Sequence, residues 1–276
     1  MRIRAERARV LITVKATPQP SEKYGDTSCV AGIRIDGDRP EWIRLYPIAF
    51  RWLDGQQQFH KYDIVELDVR RRDLDTRRES YSPTQDSWSV IETVRPWKHR
   101  HQIISQVEPA TTCSLIRAAQ LRSDAPSLGL IYPREIRDLQ FEPHGDWTAE
   151  QIAKMRTRAE KEAHALIPMS GPTPALLKAP RFKVYYRYKC GDDTCPGHRN
   201  RILDWELTAL QNRYRSDDDI HRAVTENFLH KKFAPDRQTG FFMGNFELAA
   251  RRSKFSVLGV YSPRAAETKP PAPTLF

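Results

Sequence analysis

The sequence predicts an α+β protein: a strand-rich N-terminal barrel or sandwich, a helical connector, and a C-terminal α+β module with a zinc knuckle. Three observations predict it. Over residues 8–95 apolar side chains recur at every second position in short runs, the period of strands. From Glu108 the spacing turns helical. Beyond the proline-rich stretch MSGPTPALLKAP strand character returns and leads into a tight Cys/Cys/His loop. The boundaries expected from these changes are 1–107, 108–178 and 179–262, with 263–276 a tail of disordered composition.

In the first module Val10, Ile12 and Val14 alternate with Leu11, Thr13 and Lys15, the pattern of a half-buried strand. Cys29, Ala31, Ile33 and Ile35 share one face of a second strand. EWIRLYPI supplies a third, KYDIVELDV a fourth that places Val65, Leu67 and Val69 together, and SWSVIETV closes the set. Short strands joined by Pro, Gly and Asp loops suit a small barrel or sandwich. In the connector, TTCSLIRAAQL reads as a short helix, and Thr148 to Leu166 as a longer one opened by a Thr148/Gln151 capping box. Beyond Ile152, Met155, Ala159, Ala163 and Leu166 that helix is largely charged, so it is expected to be mostly exposed. The last module holds the strand RFKVYYRYK, a helix from Asp217 to Lys231 behind the N-cap Ser216, and two closing strands within TGFFMGNFELAARRSKFSVLGVY. Asp217, Asp218 and Asp219 are accounted for by the positive end of that helix.

Composition narrows the function classes. Lys and Arg number 45 against 35 Asp and Glu, a formal excess of +10, and 39% hydrophobic residues suffice to form a core. No apolar run approaches the roughly 18 residues of a membrane span or the roughly 7–15 of a signal sequence, so a cytoplasmic protein with no membrane partner is expected. Four cysteines are too sparse for a disulfide scaffold and suit a reducing compartment. The phosphate-binding, dinucleotide, serine-hydrolase, zinc-protease and zinc-deaminase signatures are missing.

The residues richest in chemistry are Cys190, Cys195 and His198 in KCGDDTCPGH. Thiolate and imidazole donors are what zinc prefers, and Gly191, Pro196 and Gly197 let a short loop converge them. A structural site needs a fourth ligand, expected from His230 or His221, with Cys113 and Asp204 also of suitable type. The competing explanations are a polar loop that binds nothing and an iron–sulfur cluster using all four cysteines. The second is disfavoured because Cys29 and Cys113 lack close spacings. Cys29 itself is expected in a core.

An anionic polymer is the expected partner, most simply DNA or RNA. RFKVYYRYK separates into an apolar face and a face carrying Arg181, Lys183, Tyr185, Arg187 and Lys189, which offers cations to phosphates and a ring to a base. Further clusters occur at Arg70, Arg71 and Arg72, and at Lys98 and Arg100 beside Trp97. The alternative is a metal-dependent enzyme on nucleic acid. If RNRILDWEL is a strand, Asp204 and Glu206 share a face and hold magnesium or manganese as the catalytic pair, although the usual following lysine is replaced by Thr208.

Overall fold

The computed structural model describes residues 5–53, 57–72, 75–84, 87–163 and 174–268. It is mixed α+β and strand-rich. The N-terminal strands are β1 (Glu6–Lys15), β2 (Gln19–Ser21), β3 (Gly25–Arg34), β4 (Glu41–Ile48), β5 (Asp63–Arg71), β6 (Ser80–Pro83) and β7 (Ser89–Thr93). Five of them close into a barrel in the order β1-β3-β4-β6-β5, with β5 pairing back onto β1; β2 and β7 add to β3 and β5. Closure leaves the barrel sheet without a long free edge. Val10, Ile12, Val30, Ile43, Leu45, Val65 and Leu67 fill the interior. Gly32 lies where β3 crosses β1, and a Cβ there would stand 2.3 Å from the Leu11 carbonyl oxygen.

The first strand departs from expectation in an instructive way. Both of its faces are buried, and a bulge between Ile12 and Val14 turns Val14 to the side of Leu11. Val10 and Ile12 enter the barrel interior, whereas Leu11 and Val14 join Ala31 and Ile33 against a second layer. Leu128, Leu130, Phe242 and Leu258 form that layer.

It belongs to the C-terminal half, which comprises α1 (Trp97–Ile104), α2 (Thr112–Leu121), β8 (Leu128–Ile131), β9 (Pro133–Pro143), α3 (Ala149–Ala163), β10 (Phe182–Cys190), β11 (His198–Arg201), α4 (Trp205–Gln211), α5 (Asp217–Thr225), β12 (Gly240–Asn245), β13 (Phe255–Tyr261) and α6 (Ala265–Thr268). Two antiparallel sheets, β11-β10-β9 and β13-β12-β8, are joined by a bridge from Ile202 to Val257. Tyr186, Tyr188, Phe228, Phe241 and Val257 occupy the core between them.

Several expectations are corrected. Segment 108–178 is not purely a helical connector, since it supplies β8 and β9 to the two C-terminal sheets. The cluster of Trp97, Lys98 and Arg100 lies on helix α1. RNRILDWEL is no single strand: β11 ends at Arg201, and Asp204 caps α4 by accepting from the Glu206 amide at 3.0 Å. The Thr148/Gln151 capping box forms as expected, and α3 lies against β2 and β3 with Met155 buried. Leu166 lies outside the described residues, as do Met169 to Thr173 of the proline-rich stretch and 269–276 of the tail. Of the tail's described part, Ala265–Thr268 is helical. Among the described residues no helix is long and apolar enough to cross a membrane.

Candidate metal centre and basic cleft

The knuckle is the turn of the β10–β11 hairpin. Cys190 ends β10 and His198 begins β11. Between them the Asp192 side chain accepts from the backbone and hydroxyl of Thr194, and the Cys195 amide donates to the Asp192 carbonyl at 3.1 Å. Gly197 has φ of +96°, a conformation that favours glycine. This local chemistry turns the Cys195 and His198 side chains back toward Cys190.

The fourth donor comes from α2. Cys113 is its second residue, behind a Thr111 cap that accepts from the Ser114 amide. Its sulfur lies 3.6 Å from Cys190 Sγ and 3.3 Å from His198 Nε2, and the donor atoms of Cys113, Cys190, Cys195 and His198 all fall within 4.8 Å of one another. The helix N-terminus favours negative charge on the Cys113 sulfur. Arg117, one turn along, pairs with Asp192 at 2.6 Å and ties the helix to the knuckle loop. Burial pushes the Cys113 thiol up to about 12, with Cys190 and Cys195 adding to it. Burial lowers His198, so its imidazole is neutral near pH 7, the form that binds a metal. None of the four cysteines is in a disulfide. The cluster could hold a metal ion.

The expected histidine ligands lie elsewhere. His221 stacks on Phe141 at 4.2 Å and meets Phe182 edge-on at 4.6 Å, and His230 is exposed beside Glu226. Cys113 takes their place. Cys29 packs against the barrel's outer apolar layer and accepts from Arg44 Nη1 at 3.1 Å.

Asp204 and Glu206 do not stand free. Lys61 places its ammonium 2.8 and 2.7 Å from the two Asp204 oxygens and 3.2 Å from Glu206. A lysine thus occupies the position where a divalent ion was expected.

The cations of β10 meet carboxylates across the strand pair. Lys183, Arg187 and Lys189 register opposite Glu142, Asp138 and Glu135 of β9; Arg187 pairs with Asp138, Lys189 approaches Glu135 at 3.9 Å, and Arg181 pairs with Asp217. The remaining candidates are dispersed. Arg70 is exposed at the end of β5, Arg71 donates to the Arg78 carbonyl, and Arg72 pairs with Glu247 at 2.9 Å. Trp97 packs edge-on against Tyr62 and Tyr261, Arg100 lies over the Trp97 and Tyr62 rings, and Lys98 is exposed.

Tyr185 has a different setting. It borders a cleft of about 720 Å³ between the barrel and the C-terminal sheets. Among the described residues lining this cleft are the cations Arg44, Arg201, Arg251 and Lys254, and no carboxylate. Arg44 is only 3% exposed and donates to the Ser127 carbonyl at 2.9 Å. The Nε atoms of Arg44 and Arg201 are buried without a hydrogen-bond partner. Burial lowers the Arg201 guanidinium from its ordinary value, and neighbouring Arg251 adds to the effect. A second cleft of about 680 Å³ has a mixed lining, with Glu41, Glu79 and Glu108 among its arginines. Sequence reasoning missed the basic cleft because its cations come from three distant parts of the chain, β4, β11 and the β12–β13 turn, which only the fold brings together.

A family model described as Domain of unknown function (DUF8757) matches residues 108–276, and one described as Domain of unknown function (DUF8758) matches residues 6–106. No curated protein matches the chain.

Proposed function

The chain belongs to the first of these families, whose model spans more than half of it, and we propose that it is a nucleic-acid-binding protein whose C-terminal half is clamped by a structural zinc ion. The observation that carries the binding function is the basic cleft. Among the described residues its lining holds four cations and no carboxylate, and although Glu142 meets Tyr185 and Arg201 at the edge, the lining carries a net positive charge that suits an anion. Tyr46, Tyr185 and Phe246 add rings that suit bases. The β10 ridge is less apt, since Arg187 is already paired with Asp138 of β9 and Arg181 with Asp217 of α5.

Zinc is supported by the donor set. Three sulfurs and one imidazole match a closed structural site, and they disfavour magnesium and calcium, which take oxygen ligands. Tetrahedral ligands about 2.3 Å from zinc stand about 3.8 Å apart. The 3.6 Å between Cys113 and Cys190 is close to that edge, and far beyond the roughly 2.05 Å of a disulfide. Such an ion would tie α2 to the β10–β11 hairpin and so hold Tyr185 and Arg201, which pair on these strands.

Fluorescence anisotropy with labelled DNA and RNA at two salt concentrations tests the binding function. Affinity falling steeply with salt is expected. No binding at low salt, or competition by heparin but not by nucleic acid, would overturn it.

A further inference from the structure

We infer, on the strength of the nucleic-acid function proposed above, that the basic cleft takes one unstacked nucleotide, so that the partner is a single strand of DNA or RNA rather than a duplex. The first ground is shape. The cleft's volume of about 720 Å³ lies in the range, about 300–1,000 Å³, of concave sites that enclose a small molecule. The base edges and phosphates of a stacked duplex do not reach into a cavity, and flipping a base out of one costs unpairing as well as unstacking. A single strand can turn one base aside and insert it.

The second ground is the layering of charge. Arg251 and Lys254 sit at the exposed rim, on the turn between β12 and β13, where a sugar–phosphate backbone would remain hydrated. Arg44 and Arg201 border the interior. Arg44 is fixed by Cys29 at one nitrogen and by Ser127 at another. Arg201, half-buried in the cleft wall, brings a guanidinium whose N–H groups suit the carbonyl and ring-nitrogen acceptors of a base.

The third ground is the rings. Arg199 lies 3.6 Å over the Tyr185 ring, and Arg251 lies 3.9 Å over Phe246. Each aromatic is thereby held in one orientation, and a base entering beside it extends an existing guanidinium–ring stack.

The test compares one labelled oligonucleotide, as DNA and as RNA, in single-stranded and duplex form, with 2-aminopurine at successive positions to report departure from the base stack. Wild type should prefer the single strand at least tenfold and change the 2-aminopurine emission. Tyr185→Leu should lose that emission change and bind single strands about tenfold more weakly. Arg201→Gln should weaken single-strand binding more than duplex binding. Zinc content and melting profile serve as folding controls, and a mononucleotide competing for the single strand is an independent readout should either variant misfold. Equal affinity for both forms, or a Tyr185→Leu protein indistinguishable from wild type, overturns the inference and leaves the nucleic-acid function standing. Absence of all oligonucleotide binding at low salt overturns both.

Discussion

Lys61 of the N-terminal barrel and Asp204 of the C-terminal half form an ion pair, with Nζ 2.7 Å from Oδ2, that is almost wholly excluded from water. Around it the chain is stitched further: the Thr17 amide donates to the Leu203 carbonyl at 2.7 Å, and Ala16 bridges to Asp204. Asp204 also caps α4. Burial disfavours the Lys61 ammonium, yet Asp204 and Glu206 outweigh it and hold its pKa above the ordinary lysine value. The two halves are therefore joined by a charge pair in addition to the apolar layer of Leu11, Ala31, Leu130 and Phe242.

Removing one partner strands the other. Lys61→Met should cost about 3–5 kcal/mol, because the Asp204 carboxylate is left buried and unpaired. Asp204→Asn in the same protein should restore part of that loss, since asparagine caps a helix as well as aspartate and carries no charge. Urea unfolding of the two single variants and the double variant measures this. A loss below about 1 kcal/mol for Lys61→Met would place the pair with ordinary surface ion pairs.

The metal centre makes a ligand-specific prediction. Purified protein should contain one equivalent of zinc, and Cys113→Ser should lose it along with cooperative unfolding, because the metal's binding energy is folding energy in sites of this kind. His221→Ala and His230→Ala should keep the metal. Elemental analysis with thermal melts, with and without a chelator, decides the matter. Zinc retained in Cys113→Ser but lost in His230→Ala would restore the ligand set first expected from sequence.

How far the sequence could be read depended on which residues kept a regular period. The barrel strands were legible because Val65, Leu67 and Val69 alternate without interruption. β9 was not, because the register shift opposite Arg187 and Tyr188 leaves Arg137 extra and sets Ile136 and Leu139 three positions apart. Three donors of the Cys/His cluster were legible because one hairpin turn carries them. Cys113 lies 77 positions from Cys190, and only the docking of α2 brings it near. Asp204 and Glu206 misled, since a cap followed by a first-turn glutamate has the same spacing as two carboxylates on one strand face.

Lys15 gives a prediction in pH. Its ammonium lies 4.3 Å from the Phe50 ring centre and 4.7 Å from that of Phe59, and burial, with Lys61 nearby, lowers its pKa from 10.5 to about 8. Between those values the unfolded chain keeps a proton that the folded chain has released. This group's contribution to stability therefore rises with pH across that window and is flat below it. At 1.36 kcal/mol per pKa unit the rise is at most about 3 kcal/mol. Denaturation of wild type and Lys15→Met at pH 7.5, 9 and 10.5 isolates the term as their difference. Parallel curves would mean that Lys15 titrates alike in both states.

The basic cleft and the β10 ridge can be told apart by their salt dependence. Arg251 at the cleft rim stacks on Phe246, and among the described residues no carboxylate shares the cleft lining. Arg187 is committed to Asp138. Each phosphate contact contributes about 0.7 to the slope of log K against log salt for a single strand. Arg251→Gln should therefore reduce the slope by about that amount and weaken binding without regard to sequence. Arg187→Gln should change neither slope nor affinity, because an arginine already neutralised by a cross-strand aspartate releases few counterions on binding. Measuring affinity from 50 to 200 mM salt for both variants separates the two surfaces. A slope lowered by Arg187→Gln and untouched by Arg251→Gln would move the binding surface from the cleft to the ridge.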